Sequence, residues 1–229
     1  DMGQHRTGVA LDKVEAMYRE WNTLPGITMR GMHCYDGHRH ESSRQVREEI
    51  IAPVDQQIEA IKGRLQADGL DCSILIMGGT PSFPVHAEMT GEFLSPGTCV
   101  IQDAGYRNAY PDLQFTPAAA LLTRVISRPS RDTFTLDLGC KAVATDPTPE
   151  RAEIVGMEYA RTVIQNEEHW VVRVPEEHID DIPPIGTELF ALPIHVCPTS
   201  ALYPEVPVVE DGKIVGWWKV AARDRRLTL

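Results

Sequence analysis

Residues 72–82 read Cys-Ser-Ile-Leu-Ile-Met-Gly-Gly-Thr-Pro-Ser, an almost continuous apolar run that ends in two glycines and a turn. A short apolar run of this kind is typical of a strand covered on both faces, as in a parallel sheet. The preceding residues 43–67 carry apolar side chains at spacings of three and four, which predicts a long helix. We expect Pro53 to kink or divide that helix.

Two further elements lie upstream of this helix. Residues 10–21 have the apolar spacing of an amphipathic helix, and residues 27–33 are predicted to form a short buried strand after Pro25-Gly26. The resulting order is helix, strand, helix, strand. This alternation indicates βα units that build a parallel sheet.

The pattern changes after about residue 110. Six β-rich runs then follow, separated by Pro, Gly and Asp clusters, at residues 121–127, 133–138, 170–174, 188–196, 205–209 and 215–221. Asp211-Gly212 lies between the last two runs and is a strong signal for a hairpin turn. We therefore expect a parallel α/β part in residues 1–110 and an antiparallel β domain, a barrel or a sandwich, in residues 111–229.

Composition excludes several classes of protein. The 229 residues include 33 acidic and 22 basic side chains, for a formal net charge of −11. Nucleic acids and anionic membranes attract clustered Lys and Arg, so we expect neither as a partner. No apolar run approaches the roughly 20 residues of a membrane span. The five cysteines are scattered without a Cys-x-x-Cys pair, which favours reduced thiols and a cytoplasmic location over a disulfide framework.

Two glycine-containing turns could bind a phosphate. Gly78-Gly79-Thr80 follows the apolar strand directly, where glycines let backbone amides approach an anion and Thr80 adds a hydroxyl. Ser95-Pro96-Gly97-Thr98 could supply a neighbouring loop around the same phosphate, an arrangement found after adjacent strands of many barrels. An ordinary tight turn would also explain the Gly-Gly step, so the sequence leaves both interpretations open.

His195-Val196-Cys197-Pro198 is a candidate metal site. On a strand, side chains two positions apart point to the same side, so the imidazole and the thiolate could bind one ion. Nitrogen and sulfur ligands together favour zinc. Two protein ligands leave positions for water or substrate, and Pro198 would end the strand. A core histidine beside a buried cysteine is the alternative that local spacing leaves open.

The chain resembles the D-threonine aldolase and D-serine dehydratase family, which are pyridoxal-phosphate enzymes with an alanine-racemase-like fold. Six motifs carry the resemblance, in family order and across nearly the whole chain. They are Asp1-x-Gly3-x-x-Arg6-Thr7-Gly8-Val9, Gly78-Gly79-Thr80-Pro81-Ser82, Ser95-Pro96-Gly97-Thr98, Leu136-Asp137-Leu138-Gly139-Cys140-Lys141-Ala142, Glu167-Glu168-His169 and His195-x-Cys197-Pro198-Thr199.

The resemblance implies an α/β plus all-β fold, with part of a (βα) barrel of the alanine-racemase type followed by an antiparallel β domain. It also implies two cofactors, pyridoxal 5′-phosphate and a divalent metal, with zinc favoured over manganese or magnesium. The residues that it assigns to the phosphate are Gly78, Gly79, Thr80, Gly97 and Thr98, those beside the pyridine ring are Arg6 and Tyr35, and those on the metal are His195 and Cys197.

The implied activity is that of a lyase acting on D-β-hydroxy amino acids. Cleavage of the Cα–Cβ bond to glycine and an aldehyde would make it a D-threonine aldolase type, which the wider sequence favours. Loss of the β-hydroxyl would make it a D-serine or D-3-hydroxyaspartate dehydratase type, which a cysteine metal ligand favours. The resemblance also leads us to expect a homodimer.

The chain departs from the family in its lysines. The family's Schiff-base lysine lies in an Arg-Pro-His-x-Lys context on an early barrel strand, and none of the five lysines has that setting. We therefore expect an N-terminal barrel part with the lysine to be missing, and we assign no catalytic residue in this chain. Two hypotheses of other classes remain open: a non-catalytic module that binds pyridoxal phosphate or metal, and a metal-dependent hydrolase using His195 and Cys197.

Overall fold

The computed structural model describes residues 1–89, 93–146, 148–224 and 226–227. The chain divides into two compact units. The first comprises Asp1–Val100 and Ala109–Gln114, and the second comprises Ile101–Asn108 and Phe115–Leu229. Residues 101–108 thus cluster with the β-rich half. In the described ranges, no helix combines the length and the apolar character that crossing a membrane requires.

The first unit is built around a parallel sheet. Its strands lie side by side in the order β1-β2-β3, and both pairings are parallel, as the sequence predicted. The elements are α1 (Leu11–Trp21), β1 (Gly31–Cys34), α2 (Arg44–Ala67), β2 (Ile74–Met77), α3 (Phe83–Met89) and β3 (Phe93–Leu94). Residues 98–100 form a single 3₁₀ turn.

Helix α2 continues through Pro53, so the expectation of a possible division was wrong. A proline inside a helix costs roughly 3 kcal/mol through a lost hydrogen bond and a steric clash. Ile51 and Ile58 flank it and are fully buried. Since each buried isoleucine contributes roughly 1.5–3 kcal/mol, their packing offsets the cost of the proline. Ile58 packs in one cluster with Leu75 and Met77 of β2, which fixes the helix on the sheet.

The second unit contains a six-stranded antiparallel sheet with strand order β6-β9-β4-β5-β8-β7, and a separate hairpin of β10 and β11. Its strands are β4 (Leu121–Ser130), β5 (Thr133–Leu136), β6 (Ala152–Ile154), β7 (Arg161–Gln165), β8 (Trp170–Arg173), β9 (Glu188–Pro193), β10 (Glu205–Glu210) and β11 (Lys213–Lys219). Two short helices, α4 (Ala104–Ala109) and α5 (Val196–Ser200), complete the elements that bear on the site.

The sheet forms around one apolar face. Burial alternates along the first five residues of β4, and Phe134, Leu136, Trp170 and Val172 of the neighbouring strands are fully buried. The sequence missed β6 and β7, because β6 has three residues and β7 is an edge strand without a buried side chain. The hairpin turn is confirmed: Asp211 and Gly212 both have positive φ angles, +48° and +73°, as a type I′ turn requires.

Candidate active site

The Gly78-Gly79-Thr80 turn begins where β2 ends, and both glycines are required by the space around them. A Cβ on Gly78 would lie 2.8 Å from Cδ2 of His86, and Gly78 has a φ angle of +78°. A Cβ on Gly79 would lie 3.0 Å from Cε2 of Tyr35 and 3.2 Å from Cα of Gly37. The two glycines thus let the turn lie directly against the loop that follows β1.

The second turn lies beside the first. The backbone N–H of Ser95 donates to the Met77 carbonyl at 3.0 Å, and its hydroxyl donates to the Gly78 carbonyl at 2.8 Å. The side chains of Thr80 and Cys99 also interact. At Gly97 a Cβ would meet nothing within 4 Å, so the second turn faces open space there. The structure therefore brings together Gly78, Gly79, Thr80, Gly97 and Thr98 at the carboxyl ends of β2 and β3, the edge where ligands of parallel sheets bind.

One of the expected phosphate donors already has a partner. The Gly79 N–H donates to Oγ of Ser82 at 3.1 Å, so it contributes an internal contact of the turn. Gly79 then matters for an anion through the space that it leaves, because a Cβ at this position would make a tight 3.0 Å contact with the Tyr35 ring. Thr80 is almost fully buried at 4% exposure, which limits the contact of its side chain with water.

Arg6 and Tyr35 lie together, as the resemblance implies for residues beside one ring. The Arg6 guanidinium carbon is 5.1 Å from the centroid of the Tyr35 ring, within the range of a cation–π contact. Arg6 lies in a turn that the Asp1 carboxylate organises: its Oδ1 accepts the N–H groups of Gly3 and His5 at 2.9 Å each. The Asp1-x-Gly3 part of the motif therefore forms the turn that carries Arg6.

A buried network beneath the first turn was missed at the sequence level. Nε2 of His86 lies 2.9 Å from Asp36, and Nδ1 lies 2.9 Å from Asp55. His86, Asp36 and Asp55 are 0%, 1% and 3% exposed. Burial opposes the charge on His86, but hydrogen bonds and charge interactions with Asp36 and Asp55 outweigh it and raise the His86 pKa to about 9. The available signal was Asp55, an acidic residue between Ile51 and Ile58 on the apolar face of α2.

The His195–Cys197 pair is not on a strand, contrary to expectation. Strand β9 ends at Pro193, His195 is the extended residue that precedes α5, and Cys197 lies in the first turn of that helix. Pro198 does not end a strand but lies in the same first turn, where a proline needs no intrahelical partner for its nitrogen. The two side chains nevertheless meet, because Cys197 is a hydrogen-bond partner of the His195 ring.

Two carboxylates orient this pair. Oδ2 of Asp146 lies 2.8 Å from Nδ1 of His195 and so orients the ring. The hydrogen bond to Cys197 is the largest effect on the His195 pKa and raises it. The hydrogen bond and the charge of Asp146 raise it further, and against the opposing effect of burial the pKa reaches about 9. The buried carboxylate of Asp103 accepts the N–H groups of Tyr106 at 2.8 Å and Val196 at 3.0 Å, so it caps α4 and α5 together.

The segment from Gly139 to Ala144 contacts helix α5. Gly139 is packed so closely that a Cβ would lie 2.2 Å from backbone atoms of Glu167, in the turn between β7 and β8. The chain then runs to Ala144, whose N–H donates to Oγ1 of Thr199 at 3.1 Å, and that hydroxyl donates to the His195 carbonyl at 2.8 Å. The Leu-Asp-Leu-Gly-Cys-Lys-Ala and Glu-Glu-His motifs therefore meet at Gly139, and Ala144, two residues after the first motif, supports the His195 loop.

The donor set fits an incomplete metal site. His195 offers an imidazole nitrogen, and the exposed Cys197 offers a sulfur. Among the described residues, no group of three or more His, Cys, Asp or Glu side chains is placed to hold a metal ion. Two such donors would leave positions for water or for a ligand with oxygen donors, which a closed structural site would not.

Comparison with known proteins gives three matches that bear on this site. A family model described as "Putative serine dehydratase domain" matches residues 118–209. The D-threonine aldolase of Arthrobacter sp. is 31% identical over 97% of this chain and 59% of its own length. The crystal structure of D-threonine aldolase from Filomicrobium marinum superposes with a TM-score of 0.82 at 25% identity, over 97% of this chain and 61% of its own.

An alanine-racemase-like protein from Idiomarina loihiensis has the same fold, with a TM-score of 0.76 at 19% identity over 96% of this chain and 62% of its own. The fold class expected from the sequence, a partial (βα) barrel of this type followed by an antiparallel β domain, is thereby confirmed. The chain spans about three fifths of the length of both D-threonine aldolases.

Proposed function

The chain belongs to the D-threonine aldolase and D-serine dehydratase family, and on that premise we propose that the protein carrying it is a lyase of D-β-hydroxy amino acids that depends on pyridoxal phosphate and a divalent metal. We assign it to the D-threonine aldolase type, which cleaves its substrate to glycine and an aldehyde. The observation that carries the proposal is the pair of turns joined by Ser95 at the carboxyl ends of β2 and β3.

The first unit offers the groups that would hold pyridoxal phosphate. Thr80, Gly97 and Thr98 would surround the phosphate, while the narrow space at Gly79 keeps the turn close to the Tyr35 ring. Tyr35 would pack beside the pyridine ring, and Arg6 would hold Tyr35 through its cation–π contact and supply a positive charge. When bound, this cofactor withdraws electrons from the substrate Cα, which labilises the bonds to that atom.

The second unit offers the groups that would hold the metal. His195 would bind through Nε2, because Asp146 occupies Nδ1, and Cys197 would bind as the thiolate. A divalent cation at these two ligands would polarise the β-oxygen of the substrate. The sulfur ligand favours zinc. Asp103 and Thr199 would keep the backbone between the two ligands in place.

The lysine that this chemistry needs is proposed to lie outside the chain. Lys13 and Lys62 are on α1 and α2, and Lys141, Lys213 and Lys219 are in the second unit, so no strand of the first unit carries one. Lys141 binds Glu168 at the surface. We infer that an N-terminal barrel part supplies the lysine to these turns.

Spectroscopy of the full-length gene product tests the cofactor. We expect a visible absorbance band that sodium borohydride removes, as for a pyridoxal phosphate bound to lysine. Protein that binds the cofactor without such a band would favour the non-catalytic module. Protein that binds no pyridoxal phosphate at all would overturn the proposal.

Substrate assays separate the aldolase from its alternative. The dehydratase type is favoured by the family model over residues 118–209 and by the cysteine ligand. We expect D-threonine to give glycine and acetaldehyde, with little pyruvate and ammonia from D-serine. The reverse pattern would assign the protein to the dehydratase type. Variants His195→Ala and Cys197→Ser should lose the activity together with the metal.

A further inference from the structure

The buried network of Asp36, Asp55 and His86 connects to the first turn through one hydroxyl. Ser82 donates to the second oxygen of Asp36, and its Oγ accepts the Gly79 N–H at 3.1 Å. Ser82 is itself fully buried. A continuous path of hydrogen bonds thus runs from α2 through α3 and the loop after β1 to the backbone of the turn.

We propose that this network positions the phosphate-binding turn, with His86 as its centre and Ser82 as its link to the Gly79 backbone. The proposal rests on the proposed function, because it assigns the network to the phosphate of that cofactor. The residues do not reach the reacting atoms. They are positioning residues, which act through the turn.

The cost of the network argues for a role beyond stability. Taking two carboxylates and an imidazolium out of water is unfavourable, and apolar side chains of similar volume would often stabilise a core as well or better. Apolar side chains, however, could not orient the Ser82 hydroxyl by hydrogen bonds. Asp36 accepts hydrogen bonds from His86 and Ser82 on separate oxygens, so the Ser82 hydroxyl is oriented and its lone pair faces the Gly79 N–H.

The network also couples the turn to the loop that carries Tyr35. Asp36 follows Tyr35 directly, and the site of a Gly79 Cβ is 3.0 Å from that ring. The His86 ring packs against Gly78 on the other side, since a Cβ there would meet Cδ2 at 2.8 Å. The spacing between the phosphate turn and Tyr35 is therefore determined by the same buried histidine and carboxylate.

Two ligands that differ only in the phosphate provide the test. The full-length protein is freed of cofactor, and the affinities for pyridoxal 5′-phosphate and for pyridoxal are measured by absorbance titration. Ser82→Ala removes the hydroxyl that joins Asp36 to the Gly79 N–H, and His86→Asn breaks the network at its centre. We expect each variant to lose about tenfold in affinity for pyridoxal 5′-phosphate and to keep its affinity for pyridoxal, so the ratio between the ligands falls.

A matched control comes from another histidine. His178 lies 2.7 Å from Asp181 in the second unit, and His178→Asn should leave both affinities unchanged. Thermal melting verifies that each variant folds. If His86→Asn does not fold, the affinities of Ser82→Ala alone test the positioning role. If Ser82→Ala lowers both affinities equally, or neither, the positioning role is overturned. A wild-type protein without preference for the phosphorylated ligand would instead overturn the proposed function.

Discussion

Replacing Asp146 by alanine should weaken metal binding at His195 and Cys197. The carboxylate oxygen lies 2.8 Å from Nδ1 of the ring, so it favours the tautomer in which Nε2 would bind the proposed metal. Partners of this kind contribute about 10- to 100-fold to metal affinity. The Asp146 side chain is 56% exposed, and solvent weakens its interaction. We therefore expect the zinc affinity of Asp146→Ala to fall by about tenfold, the lower end of that range, which corresponds to about 1.4 kcal/mol of binding free energy.

The assay is a competition between the protein and a coloured chelator for zinc, at a fixed pH and ionic strength. Asp181→Ala is a matched control, because the His178–Asp181 pair has nearly the same geometry and exposure, at 2.7 Å with 34% and 55%, as the His195–Asp146 pair with 35% and 56%. The control should keep the wild-type zinc affinity. Equal zinc affinity in Asp146→Ala and wild type would refute the orienting role of this carboxylate.

Three further outcomes concern stability. Gly139→Ala should destabilise the protein by about 3 kcal/mol in urea unfolding, because its Cβ would meet Glu167 backbone atoms at 2.2 Å; a loss under 1 kcal/mol would show that the turn can move away. Phe134→Ala should cost about 3–5 kcal/mol in the same measurement, whereas Phe190→Ala, at a 57% exposed position, should stay within about 0.5 kcal/mol; similar losses would contradict the packing described for the sheet. The raised His86 pKa of about 9 lies above the unfolded value near 6.5, so its contribution of about 3 kcal/mol is complete below pH 6.5 and is lost as the pH rises through 9. Melting temperatures measured across that range should therefore fall more steeply in wild type than in His86→Asn, and parallel curves would argue against the charged histidine.

Much of the fold followed from local patterns. The apolar run of β2, the periodicity of α2 and the Asp211-Gly212 turn each depend on neighbours in sequence, and each was predicted with the correct element type. Boundaries were less accurate where packing decides them. Strand β1 begins at Gly31 rather than residue 27, at a point where a Cβ would lie 1.7 Å from the Ile74 carbonyl oxygen. That close approach of two strands depends on tertiary packing, which a local sequence pattern does not reveal.

The pair of His195 and Cys197 shows the same limit. The local pattern predicted a strand over residues 188–196, and on a strand these two side chains would point to one side. The strand ends earlier because the Asp103 carboxylate, far away in sequence, accepts the Val196 N–H and so helps to begin a helix there. The two side chains still meet, but the reason is the first turn of α5 and not the alternation of a strand.

The sequence by itself determined the class of fold and the glycine turns, because periodicity and turn residues are local properties. Only the tertiary structure decided which polar groups share a buried space. Asp36 and Asp55 are 50 and 31 residues from His86 in the chain, and packing α2 and α3 on the sheet brings them within hydrogen-bond distance of it. Excluding water from that space is what makes each of their hydrogen bonds strong and the loss of any one of them costly.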